Sequence, residues 1–122
     1  MGLLMRPHFR FEDLEVWQIA RNSAVQFHRV AERLDRQKYY CYAEQLRGAG
    51  LSPANNIAEG SGSLHNAEFK QFLNIARRSV FECASMLLVF DPMQLIPEGE
   101  LDPLLAGCDE LSRKITNFSR SL

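Results

Sequence analysis

Small or apolar residues return every three or four positions along most of the chain. One series is Trp17, Ala20, Ala24, Phe27, Ala31 and Leu34. Another is Phe69, Phe72, Ala76, Ser79, Cys83, Met86 and Phe90, and a third is Leu101, Leu104, Cys108, Leu111, Ile115, Phe118 and Leu122. Such spacing keeps one side of an α-helix apolar, close to the repeat of about 3.5 residues that lets helices pack side by side. No stretch alternates with period two for long enough to predict a strand.

A fourth series, Tyr39, Ala43, Leu46, Gly50, Pro53 and Ile57, keeps the helical phase straight through a proline. Interior proline costs a helix about 3 kcal/mol and frees a carbonyl four residues earlier. The surrounding residues are small: Gly48, Ala49, Gly50, Ser52, Ala54, Ala58 and Gly60. Small side chains let another backbone approach closely, so the stretch "LSPANNIAEG" predicts a kinked helix with close packing demands, with Gly60 as its C-cap.

The breaks between series fall near residues 35–38, 60–64 and 91–98. Connections this short join antiparallel neighbours. Ser63 is placed to cap the third helix, while Asp91-Pro92 and Pro97 end it and delay the fourth. The expectation is an all-α, up-down-up-down antiparallel four-helix bundle, one domain over residues 1–122, with residues 1–11 as an N-terminal arm.

One bundle core does not use all the apolar residues. On a wheel of about 100° per residue, Phe81 and Leu88 fall more than about 120° from the Phe69/Phe72/Ala76 side. Ile75 and Val89 flank the other side, and Tyr40 and Leu51 lie far from Leu46 on the second helix. Helices apolar nearly all round are normally buried. In a small bundle the cover must come from another subunit, so Tyr40, Leu51, Phe81 and Leu88 are predicted to form a homo-oligomer interface.

Charge modifies this picture little. Formal net charge is −1, which advertises no bulk attraction for nucleic acid. Residues 1–90 carry 11 Lys/Arg against 9 Asp/Glu, whereas residues 91–122 carry 3 against 6, so the last helix reads as acidic. Local basic rows stand out against that balance: Lys70 and Arg77 share a face of the third helix with Asn74, Arg78 lies beside them, and Arg29, Arg33 and Arg36 line the end of the first. Helical rows of this kind can track phosphates, although most are solvated rims.

The chemistry of catalysis is thinly represented. Three cysteines without a C-x-x-C pair suggest neither a disulfide framework nor a zinc site and fit reduced thiols in the cytoplasm. Cys83 and Cys108 sit on packing series, where a thiol behaves as a small hydrophobe. His28 and His65 lack the carboxylate three residues ahead that di-iron bundles use. Glu59 reads as a buried structural carboxylate, and Gly60-Ser61-Gly62-Ser63 as a weak candidate for holding an anion at a helix N-terminus. No secretory, lipidation or membrane-spanning segment is recognisable. The expectation is no enzyme, no cofactor and no metal.

Several segments together resemble a known family. "FEDLEVWQIA", "AEQLRGAGLS", "NNIAEGSGS" and "EFKQFLNIARRSVFE" are similar, in that order, to the intervening-sequence proteins, named after reading frames inside some bacterial large-subunit ribosomal RNA genes. The likeness covers about residues 11–90 and weakens in the fourth helix. A related branch resembles the accessory variability protein of diversity-generating retroelements, which pairs with a reverse transcriptase. The resemblance implies a ring-like homopentamer without established enzyme activity, a scaffold with RNA, DNA or an RNA-handling protein as partner. The signature residues carried over are Asn56, Ile57, Ala58, Glu59 and Gly60. Where the family reads Ser-Ile-Pro-x-Asn-Ile-Ala-Glu-Gly, this chain places Pro53 one position early, and Arg78 stands where glycine is common.

Overall fold

A computed structural model describes residues 5–122; residues 1–4 of the expected arm lie outside the described residues. A 3-10 turn, Arg10–Asp13, leads into α1 (Glu15–Arg36), α2 (Tyr40–Ser61), α3 (Asn66–Phe90) and α4 (Leu101–Arg120). Each helix backbone runs beside two neighbours: α1 beside α2 and α4, α3 beside α2 and α4. That square of sequential neighbours is the arrangement of an up-down bundle. Its buried residues form one continuous core around Leu34, Leu46, Ile57, Leu73, Leu87, Leu111 and Ile115. No described helix is long and apolar enough to cross a membrane.

Five of the seven residues expected along the α3 stripe are buried, namely Phe69, Ala76, Ser79, Cys83 and Phe90, but the stripe is centred differently. Leu73, Val80 and Leu87 are buried, while Phe72 and Met86 are only half-buried. The cause is that α3 is flanked on both sides, so the centre of its covered arc turns away from the edge residues. On α1, Val16 and Val30 are buried, and Trp17 sits half-buried at the rim with the Arg21 guanidinium 5.3 Å from its ring centroid.

α2 runs unbroken through Pro53, which is buried. Its small residues have two targets. A Cβ on Gly50 would lie 2.9 Å from Phe27 Cβ of α1, and one on Gly60 would lie 2.7 Å from Phe69 Cδ1 and 2.8 Å from Phe72 Cβ of α3. Gly60 is therefore a contact residue inside the last turn rather than the C-cap; Gly62 holds that position without a left-handed φ. Gly48 faces open space and has no packing role.

A hydrogen-bond chain joins α2 to α3 beside the proline. Asn56 Nδ2 donates to Ser52 Oγ at 2.9 Å, the Ser52 and Ser79 hydroxyl oxygens lie 2.7 Å apart, and Ser79 Oγ donates to the Ile75 carbonyl at 3.1 Å. Each hydroxyl can thus donate once and accept once, which suits a half-buried junction.

Ser63 does not cap α3. His65 is the N-cap, and Ser63 Oγ, two residues before that cap, accepts from the His65 N–H at 3.1 Å. The expected anion loop fails for the same reason. Gly60 and Ser61 belong to the end of α2, where Arg10 Nη1 donates to the Ser61 carbonyl at 3.3 Å. The negative end of a helix draws a cation there.

Candidate functional site

The four residues expected at an interface are exposed in the single chain: Tyr40 58%, Leu51 51%, Phe81 55% and Leu88 54%. They do not form one patch. Leu51 lies in a groove between α1 and α2 with Trp17, Ala24, Val25 and Ala54. Phe81 lies in another groove between α3 and α4 with Ala84, Leu105 and Cys108. In the helix square these two edges are opposite flanks. Arg21 and His28 border the first groove, and Asp109, ion-paired with Arg113, borders the second. Val25 and Leu105 escaped the sequence reading because each lies at the edge of its helix's apolar arc, whereas Trp17 belongs to the α1 packing series.

The basic residues also separate. Lys70, Asn74 and Arg77 of α3 meet Thr116, Ser119 and Arg120 of α4 around a groove of about 370 Å³. The Arg77 guanidinium carbon lies 4.8 Å from the Phe81 ring centroid. Its Nε is buried and has no hydrogen-bond partner. Arg78 is exposed and does not line this groove. Arg29 and Arg33 belong to a different groove, between α1 and the start of α4, and there Arg33 forms an ion pair with Glu100. The five residues expected to contact nucleic acid therefore do not make one continuous surface.

Arg120 was hidden by averaging over the tail. All six acidic residues of 91–122 lie at or before Glu110, and all three basic ones lie at or after Arg113. The fourth helix is thus acidic at its start, beside Arg33, and basic at its end, beside Lys70.

Neither buried thiol is poised for chemistry. Burial pushes the Cys83 thiol up to about 12 from 9.0, with the neighbouring Cys108 and Glu82 adding to the shift, and pushes Cys108 up to about 11. A thiol held neutral is a poor nucleophile. Glu59 is exposed rather than buried, because its place on the helix turns it outward from the Leu46/Ile57 side. No cluster of three or more His, Cys, Asp or Glu side chains suited to a metal occurs among the described residues.

Four residues of the signature stretch "NNIAEG" have packing roles, while Asn55 and Glu59 are exposed. Ile57 is fully buried, Gly60 admits Phe69 and Phe72, and Asn56 bonds back to Ser52; Ala58 is half-buried. These are the demands of a particular helix junction, spaced along α2 as that junction requires. The sequence model described as 23S rRNA-intervening sequence protein matches residues 12–117. The chain belongs to that family. The match extends through most of α4, so the fourth helix is part of the 23S rRNA-intervening sequence protein pattern, beyond the likeness over residues 11–90 read from its motifs. No curated protein and no solved structure matches the chain.

Proposed function

We propose that the protein is a non-enzymatic cytoplasmic scaffold that assembles with itself into a homopentameric ring and presents that ring to RNA or to an RNA-handling protein. The observation that carries the reading is the pair of apolar grooves on opposite flanks, one holding Leu51 and the other Phe81. Two different faces favour a head-to-tail contact, and repeated head-to-tail contacts close into a ring when the rotation per subunit fits. The family has no known catalytic activity, and its name ties it to 23S rRNA intervening sequences.

The assembly is tested with two single variants. Phe81→Glu and Leu51→Glu each place an unpaired charge in a contact that excludes water, which is strongly unfavourable. Each variant alone loses the ring. A mixture of the two retains one intact junction and yields a species of about two chain masses. Variants that keep the wild-type mass would contradict the assignment of these grooves.

A second reading is a nucleic-acid-binding accessory protein of a reverse transcriptase, contacting phosphates through basic helix faces. Its support is that Lys70 and Arg77 border a groove lined by no carboxylate. Co-purification with a polymerase only in the presence of the Lys70/Arg77 face would favour it over the scaffold reading.

A further inference from the structure

Three cations, Lys70, Arg77 and Arg120, converge on the α3–α4 groove from two helices, and no acidic side chain lines it. Like charges gathered this way repel, and a protein surface usually intersperses the two signs. The groove between α1 and α4 follows the usual rule, since Arg33 is neutralised there by Glu100. None of Lys70, Arg77 and Arg120 belongs to an ion pair among the described residues. The start of α3 and the end of α4 lie side by side here, so their opposite macrodipoles largely cancel and side-chain charge decides.

The neutral lining fits the same kind of ligand. Asn74 and Ser119 contribute an amide and a hydroxyl. The Thr116 hydroxyl already donates to the Ser112 carbonyl at 3.0 Å, which leaves those two free to turn to a guest. Arg77 is held by its stack on Phe81 while its Nε–H lacks an acceptor; the Arg33 Nε–H lacks one too, but there Glu100 already supplies the counter-charge that Arg77 does not have. Buried N–H groups nearly always have one. A small rotation of the guanidinium presents Nε and Nη together, the fork that matches two oxygens of a phosphate. The groove volume of about 370 Å³ lies within the range of about 300–1,000 Å³ typical of small-ligand sites.

We propose that this groove binds a phosphate monoester group, with Arg77 as the bidentate partner and Lys70 and Arg120 balancing its double negative charge. The proposal does not depend on ring assembly, nor on general tracking of a nucleic-acid backbone, whose diester phosphates carry a single charge each. The phosphate monoester can belong to a small molecule or to the end of an RNA strand.

The test is a ¹H–¹⁵N NMR titration of the whole protein near neutral pH with inorganic phosphate, then phenyl phosphate, at ionic strength held constant with chloride. Saturable shifts confined to residues around the α3–α4 groove are expected, with a dissociation constant of about 1 mM or tighter. Dimethyl phosphate, a diester, binds more weakly. Arg77→Gln and Arg120→Gln each weaken binding, Arg77→Gln by about tenfold. Arg77→Lys keeps the charge but loses the fork and falls between, while Arg33→Gln leaves binding unchanged. Stronger competition by an RNA oligonucleotide bearing a 5′-phosphate than by its 5′-hydroxyl twin assigns the RNA end; equal competition assigns a small phosphate. Shifts that chloride reproduces, that never saturate, or that survive both Gln variants overturn the proposal.

Discussion

The hydroxyl oxygens of Ser52 and Ser79 lie 2.7 Å apart, bridging α2 and α3 one residue from Pro53. The proline removes an N–H from the α2 ladder, so the Ala49 carbonyl loses its usual partner. The Asn56–Ser52–Ser79–Ile75 chain fixes the junction at that weakened turn. Ser79→Ala leaves Ser52 without its cross-helix partner and is expected to lower stability by about 1 kcal/mol in urea denaturation. A stability equal to wild type would show that the clasp contributes nothing.

Two glycines of the same helix make opposite predictions. Gly60→Ala forces a methyl into Phe69 and Phe72 and is expected to destabilise by about 1–3 kcal/mol. Gly48→Ala meets nothing within 4 Å and is expected to stabilise by up to about 1 kcal/mol through helix propensity. Thermal melts of the two variants decide the matter, since reversed signs would refute the packing assigned to α2.

Much of this architecture is legible in the sequence because the apolar period survives difficult residues. Leu46 and Ile57 stay in phase across Pro53, so the helix through the proline can be read directly. What escapes reading depends on neighbours. Leu73, Val80 and Leu87 emerge as core only once α3 is known to have α2 on one side and α4 on the other. Glu59 reads as buried because small residues surround it in sequence, yet helical phase turns it to solvent. Lys70 and Arg77 are visible as a row, but Arg120 lies 43 positions beyond Arg77 in sequence and joins them only through the α3–α4 contact.

The thiols offer a chemical test. Cys41 is exposed, and Cys83 and Cys108 are buried. One thiol per chain is expected to react quickly with a disulfide reagent at neutral pH, and all three after unfolding. Rapid reaction of two or three in the folded protein would place the α3–α4 packing in error.

The same burial sets an alkaline limit. Cys83 and Cys108 are raised from 9.0 to about 12 and about 11, so the folded state holds protons that the unfolded chain releases first. Their contribution is fully present below pH 9.0 and is lost as pH rises through about 12. Stability should therefore fall over that window, and Cys83→Ala should flatten the fall. An unchanged alkaline profile in the variant would remove Cys83 from the account.

Nucleic-acid binding is expected to be weak and electrostatic. Binding of RNA or DNA should be detectable at low salt, tolerant of sequence, and fade between about 50 and 200 mM salt. An Arg77→Glu, Arg78→Glu double variant should lose most of it. Arg33→Gln should change it less, because Glu100 already neutralises Arg33. A ring would repeat each basic groove and strengthen binding through multivalency. Equal binding by the double variant would clear both arginines of the role.

Assembly is the claim on which the scaffold reading turns, and the mass of the wild-type protein in solution tests it most directly. Light scattering behind size exclusion at micromolar concentration should give a species near five times 14.0 kDa, with Leu51 and Phe81 covered between subunits. A mass of 14.0 kDa under those conditions would contradict the scaffold account.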